Sequence, residues 1–191
     1  AIPFSRRDRF HDIIYGSGEK PTLNTRAYPS TYLQFISQHL VVGDHLVKMS
    51  LKFIAFGDSL TAGFIPTRIA HQPYTRFLQQ HLEQFCTQNS LTDLQIQVLN
   101  RGVNGNLTSD MLLRFRWDVL NAQPTHVIIL GGTNDLGWEL HVDEIFANLI
   151  AMYTQACENN ITPICCTVPS ILGWDAGIPP RVRLNTHIQT Y

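Results

Sequence analysis

The chain has 191 residues, enough for one domain with a sizeable core. Hydrophobic residues make up 44% and charged residues 15%, which excludes a disordered chain. A formal net charge of −1, with no long basic run, offers nucleic acid or an anionic membrane surface nothing to bind.

Residues 1–48 stand apart from the rest of the chain, as an N-terminal extension in which only Tyr32–Leu40 suggests a short helix. From Met49 a regular pattern starts. Leu51–Phe56 is an apolar run closed by Gly57, the mark of a buried strand. Tyr74, Phe77, Leu78, Leu82 and Phe85 recur at helical spacing, and Ile96–Leu99 predicts a second strand. Met111, Leu112, Phe115 and Val119 predict a second helix, followed by Pro124. His126–Leu130 is a third strand whose continuous run Val127–Leu130 is of the kind covered on both faces. Val142, Ile145, Phe146, Leu149, Ile150, Tyr153, Ala156 and Cys157 form an amphipathic helical stripe. Ile161–Val168 holds a fourth strand, and Pro179–Tyr191 begins a further helix. This alternation predicts an α/β domain over 49–191, a parallel sheet with helices on both faces.

Ligands of such sheets bind beyond the carboxyl ends of the strands. Three segments there carry chemistry. Gly57-Asp58-Ser59-Leu60-Thr61-Ala62-Gly63 follows the first strand and would present the Ser59 hydroxyl at the sheet edge, although taken alone Ser59 is better read as capping a helix or shaping a turn. Thr61 replaces the second glycine of GxSxG, so the α/β-hydrolase nucleophile elbow is not supported. Asn100-Arg101-Gly102-Val103-Asn104-Gly105-Asn106-Leu107-Thr108 follows the second strand; Gly105 would let the backbone approach a substrate, with Thr108 or Ser109 as the helix cap. Gly131-Gly132-Thr133-Asn134-Asp135 follows the third, where Asn134 either donates to an oxyanion or serves a turn.

Taken together, these segments carry a family resemblance. Phe53-Ile-Ala-Phe-Gly-Asp-Ser-Leu-Thr-Ala-Gly resembles the first block of the GDSL/SGNH hydrolases, Val103-Asn-Gly-Asn the second and Gly132-Thr-Asn-Asp the third. The resemblance spans roughly Met49 to Tyr191. It implies a three-layer α/β/α flavodoxin-like sandwich and a serine ester hydrolase acting on a small-molecule acyl ester, with no cofactor and no metal. It further implies Ser59 as nucleophile, with an oxyanion hole made by the Ser59 and Gly105 N–H groups and the Asn134 side chain. Asp58 and Asp135 match positions that support these loops through hydrogen bonds.

The family's last strand and its Asp-x-x-His block are missing after Asn134, so a C-terminally truncated and nearly inert chain is expected. His141 and His187 do not match that block. Asp8-Arg9-Phe10-His11 does, and would serve only in a permuted domain. A second class of reading is a non-catalytic carbohydrate- or ligand-binding domain on the same sheet. A third, a nucleotide or flavin binder, ranks last because no phosphate-cradling glycine loop follows a strand. Trp138, Trp174, Leu172 and Ile178 are candidates for an acyl pocket or for packing. No apolar stretch is long enough to span a bilayer, and the first residues lack the order of a secretory leader. Cys86, Cys157, Cys165 and Cys166 include no CxxC pair and suit buried thiols in a reducing compartment, so a cytoplasmic location is expected.

Overall fold

The structure is a computed structural model and describes residues 49–65 and 70–191. The Tyr32–Leu40 helix and the Asp8–His11 motif lie outside the described residues.

Four strands, β1 (Met49–Gly57), β4 (Leu94–Gly102), β5 (His126–Leu130) and β6 (Thr162–Cys165), form a parallel sheet in the order β4-β1-β5-β6. Ile54 to Gly57 of β1 and Val127 to Ile129 of β5 are buried, as expected of inner strands covered by helices on both faces. Outer strand β4 instead alternates between half-buried and exposed residues along its first half. It also runs further at both ends than its apolar run Ile96–Leu99 suggests, because polar residues on the open edge do not interrupt pairing. Conversely, β6 is shorter than the run Ile161–Val168. The Cys166 N–H still bonds to the Ile129 carbonyl, but Val168 leaves the ladder: both its backbone groups are held by the Asn185 side chain, at 2.7 and 2.9 Å. Pro163 is tolerated within β6 because, among the described residues, the strand has a neighbour on one side only.

The crossover helices are α2 (Tyr74–Gln88), α3 (Thr108–Asp118) and α5 (Val142–Glu158), and α6 (Ile178–Thr190) follows β6. Two short helices, α1 (Ser59–Ala62) and α4 (Thr133–Gly137), start immediately beyond β1 and β5. A small antiparallel ribbon, β2 (Phe64–Ile65) with β3 (Ala70–His71), was not foreshadowed by any alternation in the sequence. The helices close the core through i, i+3 and i+4 faces. On α5 these are Val142, Ile145, Leu149, Met152, Tyr153 and Ala156. Cys157 falls just off that stripe and is exposed, and Cys165 and Cys166 are half-buried, so only Cys86 is the buried thiol that was expected. On α3, Phe115 meets Phe56 of β1 edge-on, with ring centroids 5.4 Å apart. Among the described residues, no helix is long and apolar enough to cross a membrane.

The strand order positions the site. From β1 the chain winds to one side to form β4, then crosses back over β1 to form β5 on the other. The loop leaving β1 therefore diverges from the loop leaving its neighbour β5, which opens a crevice above the carboxyl ends of these two strands.

Candidate active site

Ser59 opens α1 at that crevice, partly exposed, two residues beyond the last residue of β1. Its position follows from Asp58, which is fully buried and caps α1 by accepting the Leu60 N–H at 2.9 Å. Ser59 is therefore not the cap. Gly102, at the end of β4, lies directly against the backbone of Ala62, leaving no room for a Cβ. Asn100 completes this seat, donating to the Thr61 carbonyl at 2.6 Å and to the Thr75 hydroxyl at 3.2 Å.

Gly105 lies at the exposed tip of the loop after β4, with φ of +77° and open space where a side chain would stand. Glycine is needed there for the backbone angle, not for lack of room. Among the described residues, no acceptor engages its N–H. Asn134 sits in the first turn of α4. Its side-chain nitrogen donates to the Asn106 carbonyl at 2.9 Å and lies 3.5 Å from Asp58 Oδ2. The Asn134 amide thus stands between the neighbour of Gly105 and the neighbour of Ser59, which brings the three segments together.

Thr108 does not cap α3. Its hydroxyl and N–H both donate to the buried carboxylate of Asp135, at 2.5 Å and 3.0 Å, and the helix start is served by Asp110, which accepts the Leu107 N–H. Asn148 of α5 donates to the same hydroxyl at 3.1 Å. Burial pushes the Asp58 carboxyl up to about 6, against the pull of the Leu60 N–H, and the nearby charge of Asp135 adds to the rise. Burial likewise raises Asp135, while its two bonds from Thr108 oppose the shift.

No described side chain bonds to the Ser59 hydroxyl. His141 and His187 instead lie beside Asp143, at 3.6 and 3.7 Å, with His187 stacked on Phe146. Trp138, Leu172 and Ile178 are exposed, and Trp174 packs against the core and over Gly177. Among the described residues, no group of three His, Cys, Asp or Glu side chains is placed to hold a metal. A hollow lined by Cys86, Leu91, Leu94 and Ile96 lies at the amino end of β4, the wrong end of the sheet for this site.

Arg114 is not among the residues that the motifs single out, yet its guanidinium reaches Asn106, Arg101, Gly57 and Asp118. A signal was present in the sequence. Position 114 lies three residues after Met111 and next to Phe115, on the core-facing side of α3, with an acid four residues on. A charge on such a face needs partners.

A doubly wound parallel sheet, with the segments bearing Ser59, Gly105 and Asn134 meeting beyond its strand ends, has the α/β fold of the GDSL/SGNH hydrolases. The model of the GDSL-like lipase/acylhydrolase family matches residues 55–191, and the chain belongs to that family. A curated relative, the uncharacterized lipoprotein YqeF of Bacillus subtilis (strain 168), is 30% identical over 127 residues, covering 63% of this chain. The chain spans about half of that relative's length, 49%. The relative's name as a lipoprotein stands apart from the cytoplasmic location expected for this chain. Among solved structures, a protein from Desulfitobacterium hafniense DCB-2 described as lipolytic and of the G-D-S-L family is 25% identical, with a TM-score of 0.61. That match covers 73% of this chain and 70% of the other. The acetyl xylan esterase AlAXEase shares the fold at 23% identity and a TM-score of 0.60, covering 73% and 71% of the two chains.

Proposed function

We propose that the protein carrying this domain hydrolyses a carboxylic ester or thioester through an acyl-enzyme, with Ser59 as the nucleophile. The observation that supports this most directly is the Asn134 amide, anchored to Asn106 beside Gly105 and within 3.5 Å of the Asp58 carboxylate beside Ser59. In this reading Ser59 Oγ attacks the carbonyl carbon and loses its proton to a base. The negative oxygen so formed is held by the Ser59 and Gly105 N–H groups and by the second hydrogen of Asn134 Nδ2. The carbon–oxygen or carbon–sulfur bond of the leaving group then breaks, and the leaving group takes the proton from the base. Water attacks the acyl-serine, releases the acid and returns the proton to Ser59.

The base must come from outside the described residues that surround Ser59. Residues 49–191 on their own are therefore expected to turn over slowly, since loss of a triad member costs about 10⁶ in kcat in a well-studied serine hydrolase. The absence of a hydrogen-bonded base at Ser59 among the described residues also favours a second reading, a domain that binds acyl or carbohydrate ligands without cleaving them.

The two readings part on one experiment. The full-length protein is mixed with p-nitrophenyl acetate, and p-nitrophenol release is followed for wild type and Ser59→Ala. Hydrolysis that Ser59→Ala abolishes supports the esterase. Equal rates from the two proteins would remove Ser59 from the chemistry.

A further inference from the structure

We propose that Arg114 is a positioning residue that holds the oxyanion donors in register, an inference that rests on the ester-hydrolase reading. Its side chain is 18% exposed, and its guanidinium lies over the Phe56 ring at 4.2 Å from the centroid. Nε donates to Asn106 Oδ1 at 2.6 Å. One terminal nitrogen donates to the Arg101 carbonyl at 3.0 Å and to Asp118 Oδ2 at 2.7 Å; the other donates to the Gly57 carbonyl at 2.8 Å.

The acceptors explain why this group is more than a strut. Gly57 is the last residue of β1, two before Ser59. Arg101 lies at the end of β4, and Asn106 directly follows Gly105. The Asn106 carbonyl in turn accepts from Asn134 Nδ2. One planar group therefore ties the segment bearing Ser59 to the segment bearing Gly105, and through Asn106 to Asn134. The Gly57 carbonyl is itself shared, accepting also from the Val103 N–H at 3.0 Å. If only helix stability were at stake, the bond to Asp118 one turn on would suffice, and such pairs contribute little.

The geometry requires a guanidinium. Four of its N–H groups reach acceptors on three segments while its face lies on an aromatic ring, which an ammonium, a point charge with three donors, does not reproduce. Without the fork, Asn106 loses its side-chain anchor, and the Gly105 N–H and Asn134 amide lose their fixed spacing from Ser59. A displacement of about 1 Å at a reacting centre can cost about 10² in rate.

The test uses the full-length protein and the variants Arg114→Lys, Arg114→Ala and Asn106→Ala. Arg114→Lys is expected to lower kcat for p-nitrophenyl acetate by about 10- to 100-fold, with KM within about twofold of wild type. Guanidinium ion added below denaturing concentration is expected to restore part of the kcat of Arg114→Ala. Asn106→Ala, which cuts only the Nε bond, should reproduce the kcat loss, and it keeps the question open to experiment if the Arg114 variants do not fold. In NMR spectra, the Gly105 amide and Asn134 side-chain resonances should move in each folded variant.

Variants that melt earlier yet keep wild-type kcat and unmoved Gly105 and Asn134 resonances would overturn the proposal and leave Arg114 with a structural role alone. If wild type itself shows no hydrolysis dependent on Ser59, the ester-hydrolase reading fails separately. The resonances then decide whether Arg114 sets these groups.

Discussion

A carboxamide nitrogen carries two hydrogens, and at Asn134 only one is committed to a short bond, the one to the Asn106 carbonyl. The other faces a 3.5 Å separation from Asp58, too long to hold it strongly. That spare donor is what an oxyanion would claim. Asn134→Ala is accordingly expected to lower kcat of the full-length protein by about 10²–10³, and steady-state kinetics showing a drop of less than about threefold would remove it from the donor set. Asp58 yields a prediction about pH. Its carboxyl is raised to about 6, so the folded chain holds the proton more tightly than the unfolded one. The resulting stabilisation is complete below about pH 4, the ordinary value, and is lost as pH climbs through about 6. Its size is on the order of 3 kcal/mol. Urea unfolding from pH 4 to 7 should show wild type losing that much more stability than Asp58→Asn. Parallel curves for the two proteins would contradict the assignment.

Among the elements, α3 carries two loads at once. Its apolar side is seated on β1 through Phe115 and Phe56, and Arg114 in the same turn reaches the ends of β1 and β4. Phe115 is fully buried, so Phe115→Ala should destabilise the domain by about 3–5 kcal/mol, read from urea denaturation midpoints. A cost below about 1 kcal/mol would mean the helix is not anchored there. The elements were legible in the sequence to the extent that one face of each was apolar. Helix α5 followed from its stripe almost residue for residue, and β5 from a run with no polar break. Strand β4 was underestimated because Leu94, Asn100 and Arg101 lie outside its apolar centre, and β6 was overestimated because Val168 is apolar for the core's sake while Asn185 holds its backbone.

For the molecule as a whole, strand order decides which loops can meet. The three motifs were readable because each is a short local word, and the alternation of strand and helix placed all three beyond strand ends. Their connections were not readable. Arg114 bonds to Gly57 across 57 positions, and Asp135 holds Thr108 across 27. Such pairings follow from the winding of the chain around β1, a three-dimensional fact that no local pattern encodes. The same winding sets a polarity. Every crossover helix starts near the crevice and ends at the opposite pole, and Cys157, exposed one residue before the end of α5, is at that far pole. Burial raises the pKa of the Cys165 and Cys166 thiols, and Cys86 is buried beside the hollow at the amino end of β4. Of the four cysteines, Cys157 is the exposed one, at the pole remote from the crevice. A maleimide dye fixed there would report tumbling and assembly without touching the crevice.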